Sequence, residues 1–367
     1  MTQDDLLPEG LSDRLPEEAR ILTLAMREAL HVMDMHGYDR VRPPLVEFER
    51  SMTERMEGVS AQDLFRFTDP ASLRTLALRG DMTVQVGRIA ATSLRDAPRP
   101  LRLCYAGEVM RIAGDQLDPV RQRLQIGAEL IGSDSVDAAC EIALVAIEAL
   151  ERAGASDISI DLTLPDLVDV LSENVFPLAD DQRAAVRREL DTKDAGGLRD
   201  AGGEAYLPLL YAAGPFDEAI EQLAAIDAGG ALSSRIAGLR TVASRIGNRA
   251  RITLDPSERH GFEYQSWFGF TLYAKGAREA LGRGGTYRIR GSFELATGFS
   301  LYANRLLPVL PEAETRKLVF CPPGHDTKAA ARLRSEGWRT VGATSDRDDA
   351  ATLGCSYRLD GEAAVLI

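Results

Sequence analysis

Residues 99–132 read RPLRLCYAGEVMRIAGDQLDPVRQRLQIGAELIG. Two strand-like runs, RPLRLCYAGEVMR and QRLQIGAELIG, flank a turn at Gly114–Pro119. Upstream, residues 16–36 predict an amphipathic helix. Leu22, Met26, Leu30 and Met33 follow the helical period, with Pro16 near its start and Gly37 just past its end. GYDRVRPPLVEFE is extended, because Pro43 and Pro44 forbid helix there. Residues 64–83 read as two strands joined at Asp69-Pro70, and a helix follows over Val84–Ala91. Downstream, residues 136–153 predict a helix with Ser133 or Ser135 as N-cap, its alanine stripe facing a core. DISIDL then alternates as a strand.

The middle of the chain changes character. Residues of about 165–248 contain DQRAAVRREL, DEAIEQLAAI and SRIAGLRTVASRI between glycine-rich breaks, which predicts a helical insertion. Strand signals return at RITLDP, FEYQSWFGFTLYAK and TYRIRGSFEL, and GFSLYANRLLPVL reads as a helix. Trp267 and Phe268 read as core or interface aromatics, and the arginines at 235, 240, 245, 249 and 251 as a solvated helical face and its exit. Beyond Glu314, VFCPPG, TKAAARLRSEG, RTVGAT and YRL form a small β-α-β unit. The expected domains are residues 1–312, carrying the insertion, and 315–367. Mostly antiparallel strands with helices and a compact tail make this an α+β chain rather than a doubly wound sheet. No GxGxxG or Walker loop opens a helix after a strand.

Composition narrows the function. The net charge is −13, so a basic nucleic-acid-binding surface is not expected. No apolar run is long enough to span a membrane, and the N-terminus lacks the layout of a secretory signal; a cytoplasmic location is expected. Cys104, Cys140, Cys321 and Cys355 are far apart and read as reduced, buried residues. Cys321 and His325 have no second pair of ligands beside them, so no metal and no cofactor are expected.

Six short motifs, in order, resemble those of class II aminoacyl-tRNA synthetases, specifically the histidyl enzyme. RVRPPLVE resembles the dimer-forming first motif and LRGDMT resembles LRPExT. YAGEVMR with RQRLQIGAE resembles the second motif, HGFEYQ and GGTYR the two histidine-recognition stretches, and GFSLYANRL the third motif. The resemblance implies an antiparallel sheet flanked by helices. It places Asp81, Thr83, Arg111, Gln125, Glu129, His260, Tyr264, Gly284, Gly285 and Tyr287 in a histidine-type pocket. Carboxylates suit an ammonium or an imidazole N–H, and hydroxyls and amides complete the set. The other reading of Asp81 and Glu129 is a structural network with Arg79 or Arg111.

On the nucleotide side the chain departs from the synthetase. Arg111, Arg123 and Arg305 remain as a vestigial site. Ala113 replaces the glutamate that follows the second-motif arginine, and Arg123 replaces a stacking phenylalanine. Asp115 and Asp118 in the turn would repel phosphate, and Tyr302 and Asn304 replace a glycine and a glutamate of the third motif. His260 stands where the synthetase has arginine, and the tail is too short for an anticodon-binding domain. These departures, with LRGDMT, resemble the regulatory subunit of ATP phosphoribosyltransferase. That resemblance implies a non-catalytic protein of histidine biosynthesis. It implies self-association as a dimer, assembly with the short catalytic subunit as a hetero-octamer of four plus four, feedback by histidine, and no tRNA. The alternative is a free-standing synthetase paralogue that activates an amino acid with ATP.

Overall fold

The computed structural model describes residues 6–54, 60–114, 119–259, 265–290, 294–311 and 316–367. The chain divides into two compact units, Met1–Pro311 and Glu312–Ile367.

The large unit begins with helix α1 (Pro16–Met35) and short strands β1 (Asp39–Arg40) and β2 (Val46–Phe48). Next come α2 (Glu49–Thr53), β3 (Arg66–Thr68), β4 (Thr75–Leu78) and α3 (Thr83–Ala91), as the proline and Asp69-Pro70 signals predict. The long ribbon is β5 (Leu101–Met110) with β6 (Gln122–Ile131), followed by α4 (Val136–Ala153) and β7 (Ile158–Thr163). The insertion holds α5 (Leu167–Asn174), α6 (Asp180–Asp191), α7 (Ala195–Asp200), β8 (Gly214–Pro215), α8 (Phe216–Ile226) and α9 (Ser233–Ile246). Strands β9 (Arg251–Leu254), β10 (Gln265–Ala274), β11 (Gly282–Arg288) and β12 (Leu295–Tyr302) and the short α10 (Ala303–Leu306) complete it.

Among the described residues the main sheet runs β1-β5-β6-β12-β11-β10-β7-β9-β8, and β2-β4-β3 form a small second sheet. From β5 to β7 every neighbouring pair is antiparallel. Such a sheet alternates an apolar face with a polar one. Ile126, Ala128 and Leu130 of β6, Phe299 and Leu301 of β12, and Phe268, Phe270 and Leu272 of β10 point to the apolar face and join a core with α1, α4 and the insertion helices. α4 fits that role. The Ser135 hydroxyl accepts from Ala138 N at its start, and Gly154 ends it in the left-handed region at φ 109. Its inward positions, Ile142, Val145, Ala146 and Ile147 among them, are fully buried. Trp267 and Phe268 are core residues, as expected. Arg235, Arg240, Arg245 and Arg249 pair with Asp166, Glu221, Asp137 and Glu148.

Two sequence expectations fail locally. GFSLY is not helical: it is the end of β12, and the helix begins only at Ala303. Gly298 and Ser300 must face Glu129 and Tyr105 across the sheet, and pairing with β6 and β11 overrides local preference. GRGGTYR is itself strand β11, and Ile289 N bonds Glu294 O as the chain turns back toward β12. TYRIRGSFEL therefore closes one strand and leads into the next.

The small unit contains β13 (Leu318–Cys321), α11 (Thr327–Ser335), β14 (Arg339–Gly342), β15 (Tyr357–Asp360) and β16 (Ala363–Leu366), in sheet order β14-β13-β15-β16. β13, α11 and β14 make the expected parallel β-α-β turn, with a C-terminal hairpin beside it. All four cysteines are buried and unpaired.

Candidate functional site

Register builds the site. Tyr105 lies opposite Gly127, Gly298 opposite Glu129, Ser300 opposite Gly127, and Tyr302 opposite Gln125. Directly opposed residues share a face, so β5, β6 and β12 turn these side chains to the side away from α4. Tyr287 of β11 and Thr83, at the start of α3, reach the same place.

The Glu129 carboxyl is 1% exposed. Its Oε1 accepts from the Tyr105 hydroxyl at 2.9 Å and its Oε2 from the Tyr287 hydroxyl at 2.7 Å. The Tyr105 hydroxyl also lies 3.0 Å from Thr83 Oγ1 and 3.1 Å from Ser300 Oγ, hydroxyl pairs in which either oxygen can donate. Gln125 Nε2 donates to Ser300 Oγ at 2.8 Å, and Gln125 Oε1 accepts from Met82 N at 2.9 Å. Asp81 is half-buried at the rim, where its Oδ1 accepts from Thr83 N at 2.6 Å. Burial first, then the Asp81 charge, pushes the Glu129 carboxyl up to about 8, against its bonds to Tyr287, Tyr105 and Thr83. Burial likewise drives the Tyr105 phenol well above its usual range.

Arg79 does not pair with either carboxylate. Its guanidinium donates to Pro43 O at 2.9 Å and Glu108 O at 2.6 Å, in space that a side chain at Gly107 would take. Arg111 is exposed at the end of the ribbon, with its backbone N bonded to Arg121 O. Gly285 is in register with Gly298 on the site face, whereas Gly284 lies on the core side, where a side chain would overlap the Phe270 ring. His260 and Tyr264, and Asp115 and Asp118 of the turn, lie outside the described residues. Sequence reasoning missed Tyr105 and Ser300, the centre of the network. Tyr105 sits two residues before Gly107, on the same face as Gly127 and Glu129, and that alternation was the available signal.

Where the resemblance puts a nucleotide, Tyr302 lies against two arginines. Its ring centroid is 5.8 Å from Arg123 Cζ and 5.4 Å from Arg305 Cζ. Arg305 is also bound inside the fold: its Nη2 is 2.9 Å from Glu279 Oε2, and its Nη1 donates to Ala280 O at 3.1 Å. Burial, then Asp81, raises the Tyr302 phenol, while Arg111, Arg123 and Arg305 pull the other way. Asn304 Oδ1 accepts from Leu124 N at 2.8 Å, so it ties α10 to β6. A buried polar nest with an open carboxylate at its rim suits a small zwitterion with further N–H donors. The arginines next to it are engaged by Tyr302 and Glu279. Among the described residues no group of three His, Cys, Asp or Glu side chains could hold a metal ion, and no helix is long and apolar enough to cross a membrane.

The histidyl-tRNA synthetase family matches residues 10–306. A protein of Rhodospirillum centenum named ATP phosphoribosyltransferase regulatory subunit is 40% identical over 346 residues, covering 92% of this chain and 88% of its own. One of the same name from Paramagnetospirillum magneticum is 40% identical over 371 residues, covering 98% and 97%. Among solved structures, an ATP phosphoribosyltransferase regulatory subunit/histidyl-tRNA synthetase from Bacillus halodurans superposes with a TM-score of 0.81 at 23% identity, over 96% of this chain and 97% of that one. A histidyl-tRNA synthetase from Nostoc gives 0.77 at 17% identity, over 96% and 90%. At such identities the solved structures establish the class II synthetase-like fold.

Proposed function

Because this chain belongs to the family of ATP phosphoribosyltransferase regulatory subunits, which share the fold of histidyl-tRNA synthetase, we propose that it serves the short catalytic subunit of that enzyme and carries histidine feedback to it. In this reading histidine occupies the nest of Asp81, Thr83, Arg111, Gln125, Glu129 and Tyr287. His260, Tyr264, Gly284 and Gly285 are the further candidates. The chain self-associates and joins four catalytic chains in a four-plus-four hetero-octamer, in the cytoplasm, without tRNA.

One observation carries the reading. The amino-acid side is a buried polar nest centred on Glu129 with the half-buried Asp81 carboxylate at its rim, while Tyr302 and the Arg305–Glu279 pair take up the other side. Adenylation needs cations aimed at charge that develops in the transition state, and of the three arginines Arg123 and Arg305 lie against the Tyr302 ring while Glu279 holds Arg305. What remains is a ligand site without the chemistry, which is what a sensor needs. Histidine and the catalytic subunit's substrates must then influence one another reciprocally, by about 1–3 kcal/mol.

The test is reconstitution. Phosphoribosyl transfer to ATP by a purified short catalytic subunit is measured with and without this chain, and histidine is titrated into both. Activation, with inhibition weakened by Asp81→Ala, is the expected result. Activation with inhibition indifferent to that change would move the histidine site elsewhere. No activation would defeat the reading. Pyrophosphate exchange by the pure chain would then favour the amino-acid-activating paralogue, to which Arg111 and Arg305 are the residues in favour.

A further inference from the structure

Lys193 stands just past the C-terminus of α6 with φ 58, in the left-handed region. Helices commonly end this way, but with glycine, which takes that conformation without steric cost. A lysine persists there only if something else holds it. Its Nζ is 2.7 Å from Asp255 Oδ1 and 2.7 Å from Ser257 Oγ, and Ser257 is buried. Two residues earlier, Asp191 Oδ1 accepts from Arg259 N at 2.8 Å. The corner after α6 therefore grips both ends of segment 255–259.

The other side of that segment is fastened to β7. Asp255 N bonds Leu162 O, Leu164 N bonds Pro256 O, and Thr163 Oγ1 donates to Glu258 O at 2.5 Å. Glu258 is half-buried against Asp161, whose Oδ1 accepts from Thr253 Oγ1 at 2.6 Å. Burial, with Asp161 and Asp255 nearby, pushes the Glu258 carboxyl up to about 7, and Arg283 opposes the shift. Register then leads back to the nest. Thr253, Asp161, Thr271, Arg283 and Ser300 form one transverse row across β9, β7, β10, β11 and β12, and Ser300 bonds Tyr105 and Gln125. In sequence, Arg259 also immediately precedes His260.

We propose that Lys193 is a positioning residue through which the helical insertion sets the geometry of the amino-acid nest. It rests on the histidine reading above, and it gives the insertion a role. Lys193 touches no ligand itself. The grip holds the segment, the row continues beside it to Ser300, and coupling between the two is what the experiment reads.

The experiment is histidine titration by calorimetry into the full chain, wild type, three single variants and one double variant, with thermal unfolding of each. Lys193→Gly removes the grip but relieves the backbone, and its melting temperature reads the balance of the two. Lys193→Met keeps the stem and loses the charge, and Asp255→Asn weakens the same grip from the other side. The expected result is histidine affinity lower by about fivefold or more in both Lys193 variants. Adding Asp255→Asn to Lys193→Met should cost less than the sum of the two separate losses. If both Lys193 variants bind histidine as wild type does, the positioning role is overturned and the histidine reading stands. If the wild-type chain binds no histidine, the reading falls and this inference with it.

Discussion

Gly298 of β12 and Glu129 of β6 face each other in register, and any side chain at Gly298 would overlap the Glu129 carboxylate. The glycine is therefore the space in which the nest's central carboxyl is bonded. Gly127 serves its neighbour in the same way, because a Cβ there would come within 2.5 Å of the Tyr105 hydroxyl oxygen.

Gly298→Ala should push Glu129 off Tyr105 and Tyr287. Overpacking of this kind costs about 1–3 kcal/mol. A lower urea midpoint at unchanged slope is expected, together with loss of histidine binding. Wild-type stability in this variant would show that the strand pair yields more easily than its register implies.

Stability should also depend on pH through Glu129. Its folded value is raised to about 8 from an ordinary 4.5. Between those values the folded chain keeps a proton that the unfolded chain has released. Stability from this group is complete below about 4.5, falls as pH rises toward 8, and levels off above. Urea titrations from pH 5 to 9 should show that slope in wild type and lose it in Glu129→Gln. Equal slopes would place the carboxyl's proton elsewhere.

A third prediction concerns the clasp that ties α4 to β5 and to Tyr38, in the turn between α1 and β1. Arg102 grips Glu141 through two bonds, at 2.7 and 2.8 Å, and Tyr38 donates to the same carboxylate at 2.8 Å. Arg102, before burial opposes it, lowers the Glu141 carboxyl. This stabilisation is present above the ordinary glutamate value and fades as pH falls through the lowered one. Partial exposure limits it, so Glu141→Gln should cost about 1–2 kcal/mol at pH 7 and less near pH 3. Thermal melts at the two pH values check this.

Nucleotide should be excluded. The pure chain is expected to show no saturable ATP binding by calorimetry, because the Tyr302 ring lies against Arg123 and Arg305 and Glu279 holds the latter. Tyr302→Ala removes the ring and should allow weak binding at most. Tight binding by wild type would mean that the ring moves aside.

Much of this was legible before any coordinates. The periodicity of α1 and α4, the extended run at the paired prolines and the two strands β5 and β6 depend on local chemistry, and the structure has them where their sequence patterns place them. Gln125 and Glu129, two turns of alternation apart on one strand, were recognisable as candidates. Tyr105 and Ser300 were not, because a hydroxyl becomes a hub only when register brings three strands together. GFSLY misled for the same reason: its apolar spacing also fits a helix, and only pairing with β6 and β11 decides for strand.

The separation of the two sheet faces has a consequence for how such a chain can change over generations. Ile126, Ala128, Phe299 and Leu301 hold the fold together, while Gln125, Glu129, Ser300 and Tyr302 alternate with them and look the other way. A change in the second set therefore alters what that face of the sheet presents, while the apolar packing against α1 and α4 keeps its own set of residues.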